Sequence, residues 1–289
     1  MRKHNRKILL ALSDIHAGFK LALMNPTVEL YNEKAGGKSE EPEAYTPKMT
    51  SSQEMLWEIY TKQLSELRKI AGRDEIHVIH NGDLTDGTRH QSDLVSDRPS
   101  DQVLIGVANL QPLLDIPNIK SLRVVVGTQA HNMGLGSSEM MAAELLKKMY
   151  PDKKIKVLYH GLLDMDGVLV DYAHHGGHPG TRLWLSGNVH RLYIRDLMMQ
   201  DIVAGKKPPR VVLRGHYHQY QMIYEQMGEY ETTSVITPSY CMLSDYNHQA
   251  TRSAGTVTNG MVAFEILDGK LGQIYPLIEK TDTRTIEKL

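Results

Sequence analysis

Five short stretches carry the residues that could do chemistry. They are Asp14-Ile15-His16, Gly82-Asp83-Leu84-Thr85-Asp86-Gly87, Gly127-Thr128-Gln129-Ala130-His131-Asn132, His174-His175-Gly176-Gly177 and Arg214-Gly215-His216-Tyr217-His218. Carboxylates and imidazoles are the oxygen and nitrogen donors of divalent transition metals, and histidine is the commonest of them. Taken singly, each histidine reads as a packed or surface residue, and Asp86-Gly87 as a turn. Taken together they read otherwise. Each stretch follows a run with strand character, and in α/β sheets the carboxyl ends of the strands border one crevice. Asp14, His16, Asp83, His175, His216 and His218 are six ligand candidates. One catalytic ion with an open position needs fewer, whereas two ions about 3.5–4 Å apart with a shared carboxylate need about that many. Such a pair acidifies a bridging water and neutralises an oxyanion attacked in line, which fits phosphoryl ester hydrolysis. The mixed imidazole and carboxylate set suits Mn, Fe, Zn, Ni or Co over Mg or Ca.

The elements that must position these residues alternate. Lys7–Ser13 is a continuous apolar run, as expected for a strand buried on both faces. Ser51-Ser52-Gln53-Glu54 is a capping-box signature opening a helix to about Ala71. Strands are expected over 75–81, 121–126, 154–159 and 167–173, and helices over 101–114, 138–149 and 183–203. Consecutive short strands over 211–214, 219–224, 232–237, 260–267 and 270–276 close the chain. The class is α/β passing into a β-rich final third (α+β), and the chain reads as one domain over 1–289. Residues 17–50 interrupt the rhythm with weak periodicity and a polar run at 34–43, giving either a disordered surface insertion or a lid over the site. Residues 279–289 read as a charged, frayed tail.

Composition bounds the function. Among the 289 residues are 33 Lys+Arg and 34 Asp+Glu, a net charge of -1, which excludes a globally basic nucleic-acid footprint. The single cysteine excludes an intrachain disulfide and fits a reducing compartment. The apolar run near the start is too short for a signal core, and no run reaches the roughly 18 residues of a membrane span. A cytoplasmic protein with no membrane partner is the expectation. The 14 histidines are a weak prior for metal chemistry.

The order D-x-H, G-D-x-x-D, a glycine turn with His, H-G-G and G-H-x-H resembles the calcineurin-like metallophosphoesterase superfamily, over about residues 7–218. The resemblance implies a four-layer αββα sandwich with a dinuclear centre at the strand ends. It implies Asp14, His16 and His218 on the first metal, Asp83 bridging, and His175 and His216 on the second. His131 would face the leaving group as the catalytic acid. The third motif departs from the family, which has Gly-Asn-His there with the Asn as a ligand. The Gln129 amide, a water, or Asn132 after a rearranged turn could replace it. His175 is favoured as ligand because it precedes the glycine, leaving His174 buried or orienting a ligand. Asp86 would orient a ligand histidine or cap the turn. Arg89, His90, His178, Arg182 and Tyr217 lie beside motifs and are candidates for contact with substrate. The implied activity is a metal-dependent phosphodiesterase with two divalent ions and a bridging hydroxide, acting on a phosphate ester such as a nucleotide or short nucleic acid. The alternatives are a phosphomonoesterase or exonuclease-like activity on nucleic-acid ends, and a non-catalytic scaffold of that fold.

Overall fold

The computed structural model describes residues 5–32, 43–88, 93–180, 186–243, 255–284 and 287. In chain order the elements are β1 (Arg6–Leu12), β2 (Leu30–Asn32), β3 (Glu43–Tyr45), α1 (Ser51–Ala71), β4 (Glu75–His80), α2 (Pro99–Leu114), β5 (Ile119–Val125), α3 (Ser137–Met149), β6 (Lys154–Leu158), β7 (His160–Met165), β8 (Val168–Ala173), α4 (Asn188–Val203), β9 (Val211–Arg214), β10 (Gln221–Met227), β11 (Tyr230–Ile236), β12 (Thr256–Leu267) and β13 (Lys270–Asp282). One sheet has six strands in the order β13-β12-β1-β4-β5-β6, and the other has five in the order β10-β11-β9-β8-β7. β1, β4, β5 and β6 run parallel, and the β12–β13 hairpin joins antiparallel at β1.

The alternation of side chains along each strand decides what packs where. Leu9, Ala11, Ile79, Val125, Val262 and Phe264 of the first sheet meet Val170, Tyr172, Val211, Leu213 and Val235 of the second in one buried cluster. The opposite face of the first sheet, through Ile8, Leu10, Val78 and Leu122, packs on α1, α2 and α3. The opposite face of the second meets α4 through Ile194 and Met198 on Val212 and Ile223. Burying one such aliphatic side chain is worth about 1.5–3 kcal/mol, so these three layers of contact hold the strand ends in register. The fold is thus a mixed α/β arrangement of two packed sheets and four long helices.

Several expectations change in the structure. The capping box of α1 sits one residue earlier: Thr50 is the N-cap, its hydroxyl accepts from Gln53 N, and the Gln53 side chain returns to Thr50 N. Residues 154–173 hold three strands where two were expected: β7, between the expected runs at 154–159 and 167–173, pairs antiparallel with β8. The tail expected to fray is strand up to Asp282, where Glu279–Asp282 pair with Thr256–Asn259. The expected insertion is interior at its start: Leu23, Met24, Val28 and Leu30 are buried in the core against the helices. Leu23 N and Met242 N tie that stretch to Tyr240 and Leu21 carbonyls. The polar run at its centre lies outside the described residues. Helix α4 begins at Asn188, and the earlier start expected at 183 falls on residues that are not described.

Candidate metal centre

The carboxyl ends of β1, β4, β5, β8 and β9 bring the five stretches to one place. The backbone does this by leaving the strand conformation abruptly. Asp14, His16, Asp83, His216 and His218 all have φ between 47° and 76°, in the left-handed region that non-glycine residues seldom adopt. Two backbone bonds splice the turns together, Asp14 N to Gly82 O (2.9 Å) and His16 N to Asp83 O (3.1 Å). Glycines let the chain approach the acids: a Cβ on Gly127 would lie 2.1 Å from Asp83 Oδ1, and one on Gly82 would lie 2.3 Å from His174 Nδ1.

The first group is Asp14, His16 and His218, whose ligand atoms lie close enough to share one ion. His16 Nδ1–H donates to Asp86 Oδ1 (3.0 Å), which turns His16 Nε2 toward His218 Nε2 at 2.9 Å. His218 Nε2 is 3.4 Å from Asp14 Oδ1. Asp14 is fully buried, accepts from Ser13 Oγ, and accepts from His216 N at 3.1 Å. Burial would raise its carboxyl, but the hydrogen bond and charge of His218 outweigh that and hold it at about 2. Burial opposes the charge on His218, yet Asp14 and the neighbouring Cys241 raise it well above the ordinary imidazole range.

The second group is His174, His175 and His216. His174 is buried, and its Nδ1–H donates to the Asn81 carbonyl (2.8 Å), so Nε2 points into the cluster 3.0 Å from Asp83 Oδ2. A ring nitrogen fixed by a backbone carbonyl with the other aimed inward is the usual posture of a metal-binding histidine. Burial alone would lower His174, but the Asp83 hydrogen bond and charge raise it to about 9. Burial and the neighbouring His174 and His175 lower His216 to about 4. Asp83 faces both groups: its Oδ2 also lies 4.0 Å from His16 Nε2. Burial opposes its ionisation, and the hydrogen bond and charge of His174 hold it well below the usual carboxylate range.

Thr128 is the residue that sequence reasoning missed. Its N–H donates to Asp83 Oδ1 (2.6 Å), and its hydroxyl lies 3.2 Å from Asp83 Oδ2, 3.1 Å from His174 Nε2 and 3.2 Å from His216 Nδ1. Gln129, expected to supply the missing donor, is exposed. Asn132 instead caps its own turn, accepting from Gly134 N through Oδ1 (3.1 Å). The signal was present in the position of Thr128 directly after Gly127, where the resembled family places its Asn. Both histidines of the pair reach the second group: His174 is the one hydrogen-bonded to Asp83, while His175 is exposed with its ring 4.7 Å from His216. The strand period does not settle this pair, because both residues lie beyond the end of β8.

His131 sits beside the first group. Its Nδ1–H donates to the Asp86 carbonyl (2.5 Å), and its ring meets His16 edge-on at 4.6 Å. Burial and the nearby His16 lower its basicity. Asp86 therefore holds two histidines, His16 through its carboxylate and His131 through its carbonyl. Tyr217 packs its ring on His216 (5.0 Å) and on His178 (4.9 Å), forming an aromatic edge next to the second group. Arg214 is fully buried, paired with Asp171 Oδ1 at 2.7 Å and bonded to the Tyr193 hydroxyl. Arg89, His90 and Arg182 lie outside the described residues.

These buried His/Asp groups could hold metal ions. Among the described residues, no helix is long and apolar enough to cross a membrane. No family profile and no curated protein matches the chain. Among solved structures it is similar to a Thermotoga maritima protein in solution (12% identity, TM-score 0.30, covering 60% of this chain and 87% of that one). It is also similar to an Aquifex aeolicus protein of unknown function (12% identity, TM-score 0.31, covering 78% and 82%). A third is the Thermus thermophilus sulfate thiohydrolase SoxB in complex with glycerol (8% identity, TM-score 0.40, covering 98% of this chain and 57% of SoxB). The chemistry of the cluster rests on this chain's own residues.

Proposed function

We propose that the chain is a metal-dependent phosphoester hydrolase, and that its preferred substrates are phosphodiesters. The observation that carries this is the placement of Asp83 between two histidine groups, 3.0 Å from His174 Nε2 and 4.0 Å from His16 Nε2. One carboxylate shared by two imidazole sets is the donor arrangement of a two-ion site. Two sheets with helices on their outer faces agree with the αββα sandwich that the sequence motifs imply. Asp14, His16 and His218 would hold one ion, and His174, His216 and the Thr128 hydroxyl the other, with His175 at its rim. The donor set fits: imidazole Nε2 atoms converge from facing turns, and the acids are held ionised in the interior. Divalent ions bound there supply Lewis acidity toward water and the phosphoryl oxygens.

The chain's own residues do the rest. Asp86 fixes His16 so that its Nε2 faces inward. It also fixes the tautomer of His131, leaving Nε2 free at the edge of the site. When the ring is doubly protonated, with Nδ1–H still held by the Asp86 carbonyl, His131 gives its Nε2 proton to the leaving alkoxide and becomes the neutral Nδ1–H form. Tyr217 and His178 offer an aromatic edge to the alcohol arm of the ester. The diester preference is supported by Arg214: the arginine of the Arg214–His218 run is buried and committed to Asp171 and Tyr193, so it does not serve a second phosphate charge.

The test compares bis-p-nitrophenyl phosphate with p-nitrophenyl phosphate, using chelated protein reloaded with Mn, Ni, Co or Zn. Metal-restored diester turnover is expected, reduced at least about 10²-fold in Asp83→Asn, the scale of losing a group that supports reacting charge. Faster turnover of the monoester would overturn the diester preference. Stoichiometric metal binding without turnover of either ester would make the fold a scaffold.

A further inference from the structure

Helix α4 packs its inner side against the turn that follows His175, where a Cβ on Gly177 would lie 2.7 Å from Tyr193 Cβ, and its outer side carries a feature that catalysis does not use. Its inner face is His190, Ile194 and Met198. Its outer face holds Val189, Leu192, Met199 and Val203, which are 52%, 63%, 50% and 79% exposed. With Asp196 these positions step by three, four, three and four residues. At 100° per residue they form one stripe pointing directly away from the packed face. Isolated exposed apolar residues are ordinary, but four in a seam with this spacing are the pattern by which helices pair.

Charge says which partner fits. Arg191 and Arg195 both bind Glu225, a single buried carboxylate, at 3.1 and 2.5 Å. One positive charge is therefore left over on that flank. Asn188, Arg191, Leu192 and Arg195 line a concavity of about 360 Å³ beside the stripe. An acid entering it would complete the charge balance. α4 carries such an acid within its own stripe, Asp196, which accepts from Gln200 Nε2 at 2.7 Å.

We propose that α4 is the interface of a symmetric homodimer in which two copies of the helix lie antiparallel. In the register that satisfies both features, Leu192 meets Asp196 of the other copy and Val189 meets Met199. Each Asp196 then enters the concavity between Arg191 and Arg195 across the two-fold axis. The same patch serves both copies, as an isologous contact requires. The apolar seam is small, so association depends on concentration. It is independent of the chemistry proposed for the metal centre.

The mass of the whole protein by light scattering, measured over a concentration series, tests this directly. The wild type should approach twice the chain mass as concentration rises. Leu192→Glu and Asp196→Arg should each remain at one chain mass while keeping the wild-type circular dichroism and melting transition. A second reading fixes the register: Val189→Cys combined with Met199→Cys should form intermolecular disulfides on mild oxidation, whereas Val189→Cys alone should not. A wild type that stays monomeric throughout overturns the proposal, as does a dimer that survives both charge substitutions. A dimer that dissociates in both variants but fails to cross-link overturns the antiparallel register.

Discussion

The two ends of the sheets solve the same backbone problem with different residues. At the end remote from the cluster, β7–β8 and β12–β13 are joined by two-residue turns, Asp166-Gly167 and Asp268-Gly269. All four residues there have φ between 49° and 91°. This is the Asp-Gly hairpin turn, whose twist matches the strands and whose second residue is free of a Cβ. At the cluster end, five buried or half-buried Asp and His residues take the same conformation. Left-handed backbone costs a non-glycine residue roughly 1–2 kcal/mol. At the hairpins that cost is reduced by sequence choice. At the cluster it persists because the side chains are needed where the turn points them, the pattern expected where strain serves a site.

The largest effect expected from this contrast is at His131. Removing it as His131→Ala should lower diester turnover about 10²–10⁴-fold for an alkyl leaving group, the range of general acid catalysis. The loss should be much smaller for p-nitrophenolate, which leaves without help. Metal content should be unchanged, since His131 is held by the Asp86 carbonyl rather than by Asp83. A series of leaving groups of rising pKa reads this directly. Equal losses across the series would remove His131 from the acid role and leave it as packing against His16.

The cluster was legible where a residue's place follows from a strand end. Asp14 and His16 follow β1, Asp83 follows β4, and His216 and His218 follow β9, and the structure gathers all five. It was illegible where geometry beyond the strand decides. Whether His174 or His175 faces Asp83 depends on one hydrogen bond, from His174 Nδ1 to the Asn81 carbonyl, which pairs residues 93 apart in sequence. Thr128 was hidden because a hydroxyl is a common side chain and acts here through the tight approach of Gly127 to Asp83. In the fold, the helices were read to within a few residues from their periodicity, except for the start of α4, which falls on residues not described. The start of the 17–50 segment was misread, because Leu23, Met24, Val28 and Leu30 bury themselves without any regular period.

A middle-sized effect concerns protons. Without metal, His174 is raised from 6.5 to about 9 by Asp83. A raised imidazole adds stability that is complete below its unfolded value and disappears as pH climbs through the folded one. The metal-free protein should therefore lose that contribution between pH 6.5 and about 9. Metal must displace the same proton, so its affinity should move the other way, rising by up to ~10-fold per pH unit until His174 is neutral. Calorimetric titration with Zn at pH 7.5 in buffers of different ionisation enthalpy counts the protons released. His174→Gln should release one fewer than the wild type. An unchanged proton count would mean that His174 gives up no proton to the metal, and would remove the raised His174 from the account of metal affinity.

The smallest effect belongs to the remote end and sharpens the contrast. Gly167 has φ of 91° and open space around its missing Cβ, so Gly167→Ala should cost only the conformational term, about 1 kcal/mol. Gly269 has a similar φ of 77°, but a Cβ there would lie 2.8 Å from the Asp166 carbonyl oxygen of the neighbouring hairpin. Gly269→Ala should therefore cost more than Gly167→Ala, and urea unfolding of the two variants side by side measures the difference. Neither substitution should alter metal content or turnover, because the hairpins lie at the opposite ends of the strands from every ligand candidate. A turnover loss in Gly167→Ala would show that the two ends are mechanically linked through the sheets. Equal unfolding costs in the two variants would show that the second hairpin yields without resistance, and that the approach of the two turns contributes little to holding the sheets together.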